Sequence, residues 1–285
     1  MQKIWVCGAR GQIGQAVNDV VDKLEFEMLD TDVDDLDVTD TDEVLRFGEM
    51  NRPDIIINCS GMTDISSCEE NPSQAFKVNA LGARNLAIVA AKMQAKMVQL
   101  STDDVFDGKS TEPYTEFDIT NPGTVYGKSK LAGENYVKEF TTKHFIVRST
   151  WVNGKGQNFI NGFLKKVDAG EQLSIASDQF GSPTSANELA RFLLHLVHTS
   201  EYGTYHATNK GVCSRYAFAQ EILKMTGKTA SMQPVPTVMS DFSKVRPAYA
   251  VLDNFIMSMV PIYDFPDWQD SLREYLEERG LYHAE

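Results

Sequence analysis

A glycine-rich segment near the start of the chain, Gly8-Ala-Arg-Gly11-Gln-Ile-Gly14, constrains the fold more than any other feature. It follows the short apolar run Lys3–Cys7 and opens a helical pattern that extends to about Lys23. Glycines at such a junction permit a tight turn, close approach of the backbone to a pyrophosphate, and close helix–sheet packing. The segment therefore predicts the first strand-to-helix turn of a parallel sheet, with an anion site at the helix N-terminus.

Strand-like apolar runs alternate with helical patterns through the first 150 residues. The predicted strands cover residues 3–7, 25–29, 55–58, 96–100 and 145–148, and the predicted helices cover 12–23, 42–51, 73–94 and 127–140. This alternation predicts an α/β fold with a Rossmann-like, doubly wound parallel sheet and helices on both faces. A ligand crevice then lies beyond the carboxyl ends of the strands, where Cys7, Asn58 and Ser101 fall.

The regular alternation of strand and helix patterns ends after Trp151. Helical patterns cover residues 158–169, 185–199, 214–225 and 268–278, strand patterns cover 173–175 and 203–207, and 178–184 is predicted to be a turn. We therefore predict a dinucleotide-binding Rossmann domain over residues 1–150. Residues 151–285 form a smaller mixed α/β lobe that mainly binds the substrate, with some strands and helices returning to the first domain.

Charge and composition narrow the classes of partner. A net charge of −13 argues against nucleic acid and anionic membranes as partners, and the sequence contains no apolar run of membrane-spanning length. The four cysteines lack metal-type spacing, and the N-terminus has no pattern of a signal peptide, which favours a reduced cytoplasmic protein. The histidine pair His195 and His198 lacks acidic or cysteine partners in sequence, so no metal site is predicted there.

Tyr126 and Lys130 form the most informative pair of polar residues. They lie four positions apart within a predicted helix, so both side chains project from one face. A fixed cation beside a phenol favours the phenolate, which makes such a phenol a proton donor for a carbonyl oxygen near neutral pH. A surface helix pair is the alternative for an isolated Tyr-x-x-x-Lys spacing. Thr102, at the end of the fourth predicted strand, is a third catalytic candidate because its hydroxyl can stabilise charge on a carbonyl oxygen.

An acidic stretch follows the second predicted strand. A carboxylate at this strand end commonly binds the hydroxyls of the adenosine ribose and repels a 2′-phosphate. Either Asp30 or Asp32 is expected to have this role, which favours NADH over NADPH. Arg10, in the glycine loop, would still permit NADPH. Most of the other acidic residues in the stretch are expected to be solvated or to cap helices.

Several motifs together resemble one family. They are the glycine loop, Asn58-Cys-Ser-Gly-Met-Thr63, Val78-Asn79-Ala-Leu-Gly82, Ser101-Thr-Asp103, Val125-Tyr-Gly-Lys-Ser-Lys130 and Asp178-Gln-Phe-Gly-Ser-Pro-Thr184. This set resembles the extended short-chain dehydrogenase/reductases, and among them the dTDP-4-dehydrorhamnose reductase family. The resemblance covers nearly the whole chain, including Arg246-Pro247.

The resemblance implies a reaction and a set of roles. A nicotinamide cofactor would reduce a 4-keto sugar nucleotide, dTDP-4-dehydro-L-rhamnose, in dTDP-rhamnose biosynthesis. Tyr126 would protonate the oxygen, Lys130 would bind the nicotinamide ribose, and Thr102 would stabilise the oxyanion. The implied cofactor contacts are Gly11, Gln12 and Ile13 at the pyrophosphate, Asp37 and Val38 at the adenine end, and Gly61, Met62 and Thr63 along the cofactor. Gly8, Gly14 and Tyr126 are also expected to contact the cofactor. The implied substrate contacts are Asp103, Trp151 and Arg246. The resemblance leaves open a homodimer and a Mg²⁺ ion.

Four positions depart from the family pattern and leave the substrate open. They are Asp104, Gly123, Asn153 and Arg215, and Asp104 is included among the expected substrate contacts. Trp151 is also open, as a sugar contact or as a core aromatic. Arg215 is interpreted as a surface residue, with a phosphate contact as the alternative. Two other functions remain: a sugar-nucleotide 4,6-dehydratase, which Thr102-Asp103-Asp104 resembles, and a non-catalytic binding subunit. The regulatory subunit of methionine adenosyltransferase has a similar fold.

Overall fold

The protein is built around one parallel sheet of six strands. The computed structural model describes residues 1–239 and 247–283. The strands of this sheet are β1 (Gln2–Cys7), β2 (Phe26–Thr31), β3 (Ile55–Asn58), β4 (Lys96–Thr102), β5 (His144–Ser149) and β10 (Gly203–His206). Their order across the sheet is β2-β1-β3-β4-β5-β10, and every neighbouring pair is parallel. The predicted α/β class with a Rossmann-like sheet is confirmed.

Helices cover both faces of this sheet. The helices of the first half are α1 (Gln12–Val20), α2 (Thr41–Asn51), α3 (Ile65–Glu70), α4 (Pro72–Phe76), α5 (Ala83–Met93) and α6 (Val125–Phe140). One apolar layer includes Val17 of α1 and Ile57 of β3, and the opposite layer includes Leu86 of α5 and Ile56 of β3. Successive residues of a strand point to opposite faces, so an unbroken apolar run such as Ile55-Ile56-Ile57 supplies both layers.

The second half adds short strands and helices around a separate core. The additional strands are β6 (Val152–Asn153), β7 (Leu173–Ala176), β8 (Phe180–Gly181), β9 (Thr184–Ser185), β11 (Cys213–Ser214) and β12 (Met232–Val235), and the helices are α7 (Phe159–Asp168), α8 (Ala186–Val197), α9 (Arg215–Thr226), α10 (Phe255–Met259) and α11 (Trp268–Glu277). Phe163, Leu173, Phe218 and Leu272 share this core. In contrast, α8 packs on the first half beside α1, and β10 pairs with β5.

Several local features differ from the sequence predictions. The helix predicted over 73–94 is interrupted by a π-helical turn, Lys77–Gly82, where Gly82 packs so closely on Val38 that a Cβ would lie 2.8 Å from its Cγ2. Such turns disrupt the regular helical hydrogen-bond pattern and often mark functional regions. Residues 178–184 are not a simple turn, since they contain β8 and begin β9. Helix α3 lies in a segment for which no helix was predicted.

The helices of residues 1–239 and 247–283 include none that is long and apolar enough to cross a membrane.

Candidate active site

The glycine loop forms a tight turn between β1 and α1. Gly8 has a positive φ of +76°, and a Cβ on it would lie 2.8 Å from the backbone nitrogen of Ser60. A Cβ on Gly14 would lie 2.3 Å from the carbonyl oxygen of Gly8, while Gly11 is the N-cap residue of α1. A side chain at Gly8 or Gly14 would clash with the backbone packed against it. Because the loop carries no side chains at these positions, the N-terminus of α1 is open to an anion.

Residues next to this loop connect it to the second half of the chain. The Gln12 side chain accepts a hydrogen bond from the backbone nitrogen of Gly154 (2.9 Å) and donates one to the carbonyl oxygen of Gln157 (3.0 Å). Ile13 is partly buried and packs against the apolar layer under α1. The side chains of Gln12 and Ile13 thus have structural contacts, and their backbone faces the open helix end.

A groove of about 410 Å³ lies beside the glycine loop. Its lining includes Gly8, Gly11, Asp32, Val33, Asp37, Val38, Gly61 and Met62. Asp30 lies exposed on β2, outside this lining, whereas the Asp32 carboxylate reaches the groove and accepts a hydrogen bond from the Arg10 backbone nitrogen (2.8 Å). Of the two candidates for the ribose ligand, the structure therefore places Asp32 beside the loop.

The Arg10 side chain lies at the same end of the groove. Its guanidinium donates to Asp34 (3.1 Å) and to Asp35 (2.7 Å), and all three side chains are largely exposed. Exposed ion pairs of this kind contribute little to stability, so the guanidinium can exchange partners at small energetic cost.

A buried asparagine fixes the opposite wall of the groove. Asn79, in the π-helical turn, accepts from the Met62 backbone nitrogen (2.8 Å) and donates to the Met62 carbonyl oxygen (2.9 Å) and to the Ser129 hydroxyl (2.8 Å) of α6. Gly61 is close to both elements, since a Cβ on it would lie 3.0 Å from Asn79 Oδ1 and 3.7 Å from Lys130 Nζ. Thr63 follows as an exposed residue. The segment of residues 61–63 is therefore held next to Lys130.

Tyr126 and Lys130 lie one turn apart at the start of α6, and both are buried. Thr124 caps this helix by accepting from the Gly127 nitrogen (2.9 Å), and the Glu69 carboxylate of α3 accepts from the Val125 nitrogen (2.7 Å). Burial lowers the pKa of the Lys130 ammonium to about 8. The structure therefore excludes the interpretation of this spacing as a surface pair.

Thr102 ends β4 close to the start of α6. Its hydroxyl donates to Asp103 Oδ1 (3.0 Å) and accepts from the Asp104 backbone nitrogen (3.2 Å). Asp103 and Asp104 form a short 3₁₀ turn and are both buried. Both therefore lie at the carboxyl edge of the sheet, and helix α6 packs on their turn.

Trp151 follows β5 and is buried between two neighbours. Its backbone has a positive φ of +46°, which is uncommon for a bulky residue. The guanidinium carbon of Arg215 lies 3.4 Å from the centre of the Trp151 ring system, and a Cβ on Gly181 would lie 2.6 Å from the indole. Arg215 is itself buried, so its interpretation as a surface residue was wrong. Asn153 also contacts this group, since its side chain donates to the Trp151 carbonyl oxygen (2.6 Å).

Two further expectations concern Arg246, as a substrate contact, and a metal ion. Arg246 lies outside the described residues. Across residues 1–239 and 247–283, no group of three or more His, Cys, Asp or Glu side chains is arranged to hold a metal ion.

Sequence reasoning missed two polar residues that organise the site. Asn79 lies within one of the motifs that carry the family resemblance and Glu134 lies just after another, and neither was predicted to have a role. Both are buried. The position of Glu134, four residues after Lys130 in a helix that already carries Tyr126 and Lys130 at that spacing, was the available signal.

The parallel sheet, the glycine turn after β1 and the buried Tyr126–Lys130 pair beside a strand-end hydroxyl define an oxidoreductase of the extended short-chain dehydrogenase/reductase class. The family model described as "RmlD substrate binding domain" matches residues 1–280, and the chain belongs to this family.

Named relatives and solved structures resemble the chain along nearly its whole length. The chain is 35% identical to the spore coat polysaccharide biosynthesis protein SpsK of Bacillus subtilis over 281 residues, which is 98% of this chain and 99% of SpsK. It is 32% identical to the dTDP-4-dehydrorhamnose reductase of Aggregatibacter actinomycetemcomitans, with 96% of this chain and 98% of that protein covered. The crystal structure of a dTDP-4-dehydrorhamnose reductase from Clostridium acetobutylicum has a TM-score of 0.95 at 40% identity, with 98% of this chain and 100% of that chain covered. The crystal structure of the dTDP-4-dehydrorhamnose reductase from Bacillus anthracis, in complex with NADP, has a TM-score of 0.94 at 35% identity. The match covers 98% of this chain and 100% of that chain.

Proposed function

We propose that this protein uses NADH or NADPH to reduce the 4-keto group of a sugar nucleotide, and that its substrate is dTDP-4-dehydro-L-rhamnose, giving dTDP-L-rhamnose. The observation that carries the proposal is the burial of Tyr126 and Lys130 one turn apart, beside the strand end that holds Thr102. The reductases named among the relatives and the solved structures support the reaction class.

The groove beside the glycine loop fits a dinucleotide. Gly8 and Gly14 leave no room for side chains, and the N-terminus of α1 faces the position that a pyrophosphate would take. Asp32 would accept hydrogen bonds from the adenosine ribose, and Asp37 and Val38 would border the adenine. Residues 61–63 would lie along the cofactor toward its nicotinamide. When bound, the nicotinamide supplies the hydride that is added to C4 of the sugar.

Three residues would handle the oxygen of the keto group. Tyr126 would donate its phenolic proton as the hydride arrives, so that the C4 oxygen becomes a hydroxyl. Lys130 would hydrogen-bond the nicotinamide ribose and favour the resulting phenolate by its positive charge. The Thr102 hydroxyl would hydrogen-bond the same oxygen and stabilise its developing negative charge.

The lobe formed by residues 151–285 would hold most of the sugar nucleotide, while residues 1–150 would hold the cofactor. Trp151 has one face on Arg215 and lies against Gly181, so we propose that it meets the sugar through an edge. Asp103 and Asp104 follow Thr102 directly and would contact the sugar or its nucleotide. Arg246 is retained as a proposed substrate contact.

One named relative favours a second candidate substrate. A dTDP-4-keto-6-deoxy-D-glucose reductase of Streptomyces niveus is 32% identical to this chain, and the match covers 94% of each protein. Its name indicates reduction at the same carbon of a sugar with different stereochemistry. The departures at Asn153 and Arg215 lie around Trp151, where this difference would be detected.

The test is a comparison of the two 4-keto sugars as substrates, with NADH and NADPH measured separately. The proposal predicts stoichiometric oxidation of the cofactor, faster turnover of dTDP-4-dehydro-L-rhamnose, and dTDP-L-rhamnose as the product identified by NMR. Faster turnover of the D-glucose derivative would assign the second candidate. A 4,6-dehydratase would instead eliminate water from a 4-hydroxy sugar nucleotide without net oxidation of added cofactor. A binding subunit would turn over neither 4-keto sugar, and either result would contradict the proposal.

A further inference from the structure

Helix α6 carries a third ionisable residue that the proposed reaction does not use. Tyr126, Lys130 and Glu134 follow one another at four-residue intervals, so they lie on the same face of the helix. The Glu134 side chain is fully buried, a rare position for a carboxylate unless its partners compensate for the loss of water.

The Glu134 carboxylate connects three elements of the site. Its Oε1 accepts a hydrogen bond from the Ser101 hydroxyl (2.5 Å) on β4 and from Arg148 Nε (2.9 Å) on β5, and its Oε2 accepts from Arg148 Nη2 (2.8 Å). Ser101 directly precedes Thr102. One carboxylate therefore connects the helix that presents Tyr126 and Lys130 to the strand that presents Thr102.

The charges around Glu134 keep it ionised. Burial alone would raise the pKa of this carboxyl, but hydrogen bonds and charge from Arg148, with the hydrogen bond from Ser101, lower it below its usual range. Lys138, half exposed on the next turn, adds a further positive charge 3.6 Å away. His206 on β10 also faces this network, yet burial lowers its pKa to about 3, so its ring is neutral near pH 7.

Burial and nearby charge act on the Lys130 ammonium in opposite directions. Burial lowers the pKa of its ammonium to about 8, and the negative charge of Glu134 opposes this effect. Cys59, directly after β3, also faces Lys130, but burial raises the pKa of its thiol to about 12, so it remains uncharged near neutral pH. Near pH 7, Glu134 is therefore a charged carboxylate that favours the ammonium form of Lys130.

We propose that Glu134 is a positioning residue of the active site, which keeps Lys130 protonated at working pH and, through Ser101, holds Thr102 in register with Tyr126. This inference rests on the proposed function for the roles of Tyr126, Lys130 and Thr102. The charge relationship between Glu134 and Lys130 does not depend on the identity of the substrate.

The first experiment measures the titration of Lys130 directly. Protein labelled at the lysine ε-carbons is titrated by NMR, and the Lys130 signal is assigned by its absence in Lys130→Met. We expect Glu134→Gln to move the Lys130 midpoint downward by roughly one pH unit or more, because a nearby negative charge is lost. The alkaline limb of kcat/KM should move with it. The matched control is Glu139→Gln, which removes a carboxylate at an exposed position of the same helix and should leave the midpoint unchanged. A folded Glu134→Gln protein with the wild-type midpoint would overturn the proposal.

A second variant tests the positional part and keeps every charge. Ser101→Ala removes the hydroxyl that connects β4 to Glu134, and we expect kcat to fall several-fold while the cofactor KM and the Lys130 midpoint stay unchanged. A wild-type kcat in Ser101→Ala would overturn the positional role of Glu134. This test can be made even if Glu134→Gln does not fold. If the wild-type protein reduces neither 4-keto sugar, the proposed function fails, and the NMR titration still decides the relationship between Glu134 and Lys130.

Discussion

Gly127 packs against the backbone of Asp104 so closely that a Cβ atom on it would lie 2.0 Å from the Asp104 carbonyl oxygen. This contact joins the first turn of α6 to the 3₁₀ turn that follows β4. The helix that carries the phenol and the ammonium therefore rests directly on the turn that follows Thr102. The separation of the three proposed catalytic groups is set by backbone packing, since no side chain intervenes at this point.

Gly127→Ala should disturb this arrangement. The added methyl group forces α6 away from the strand end, and we expect a loss of about 1–3 kcal/mol in the free energy of unfolding together with a larger loss of kcat. Urea unfolding and steady-state kinetics measure the two effects. Gly162→Ala, in α7, is the control, because a Cβ there would meet nothing within 4 Å. Wild-type kcat in Gly127→Ala would show that the close packing is not required for catalysis.

The two candidate ribose ligands can be separated by substitution. Asp32 lines the cofactor groove and Asp30 lies outside it. We expect Asp32→Ala to raise the KM for NADH by about tenfold, because hydrogen bonds to a charged acceptor are lost, and to affect NADPH less. Asp30→Ala should change neither value. The reverse pattern, with the effect in Asp30→Ala, would contradict the assignment.

Arg215 is expected to fix the orientation of Trp151. Arg215→Met keeps a long side chain but removes the cation 3.4 Å from the indole, so the KM for the sugar nucleotide should rise several-fold while the NADH KM does not change. Arg279→Met is a matched control, since Arg279 lies 3.5 Å from the ring centre of Tyr275. That variant should show no change in KM for the sugar nucleotide. Equal changes in the two variants would indicate a general effect on stability.

As the pH rises, deprotonation of Lys130 should lower turnover, while its contribution to stability should increase. Its pKa is lowered from 10.5 to about 8, so turnover should fall as the pH rises through about 8 and the ammonium loses its proton. Between about 8 and 10.5 the unfolded chain binds more protons at this lysine than the folded protein does, so its contribution to stability increases with pH. Lys130→Met should remove this increase in chemical denaturation experiments. An increase of the same size in Lys130→Met would assign it to other groups.

Many of the strands and helices could be predicted from local sequence patterns. The run Ile55–Asn58 was predicted with the observed bounds, because a buried parallel strand is apolar on both sides and ends where the pattern ends. The placement of Tyr126 and Lys130 on one helical face required only their spacing. Ser185 caps α8 by accepting from the Glu188 nitrogen, as the Ser-x-x-Glu pattern predicts.

Contacts between residues far apart in sequence could not be predicted in this way. The π-helical turn around Asn79 forms where Gly82 meets Val38 and Asn79 meets Met62, and neither contact leaves a periodic signal. Arg215 looks like a surface residue in sequence because charged residues are usually exposed. Its burial depends on Trp151, 64 positions earlier in the chain, and on Phe159. The position of Asp32 at the groove depends on its hydrogen bond from Arg10.

The proposed reaction requires Tyr126 to donate the proton to the keto oxygen. The most direct measurement is the rate of NADH or NADPH oxidation with dTDP-4-dehydro-L-rhamnose in wild-type protein and in Tyr126→Phe. Tyr136→Phe, which removes a hydroxyl from the same helix, is the control. We expect Tyr126→Phe still to bind the cofactor and to lose a factor of about 10² or more in kcat, while Tyr136→Phe retains wild-type turnover. Wild-type turnover in Tyr126→Phe would show that Tyr126 is not the proton donor.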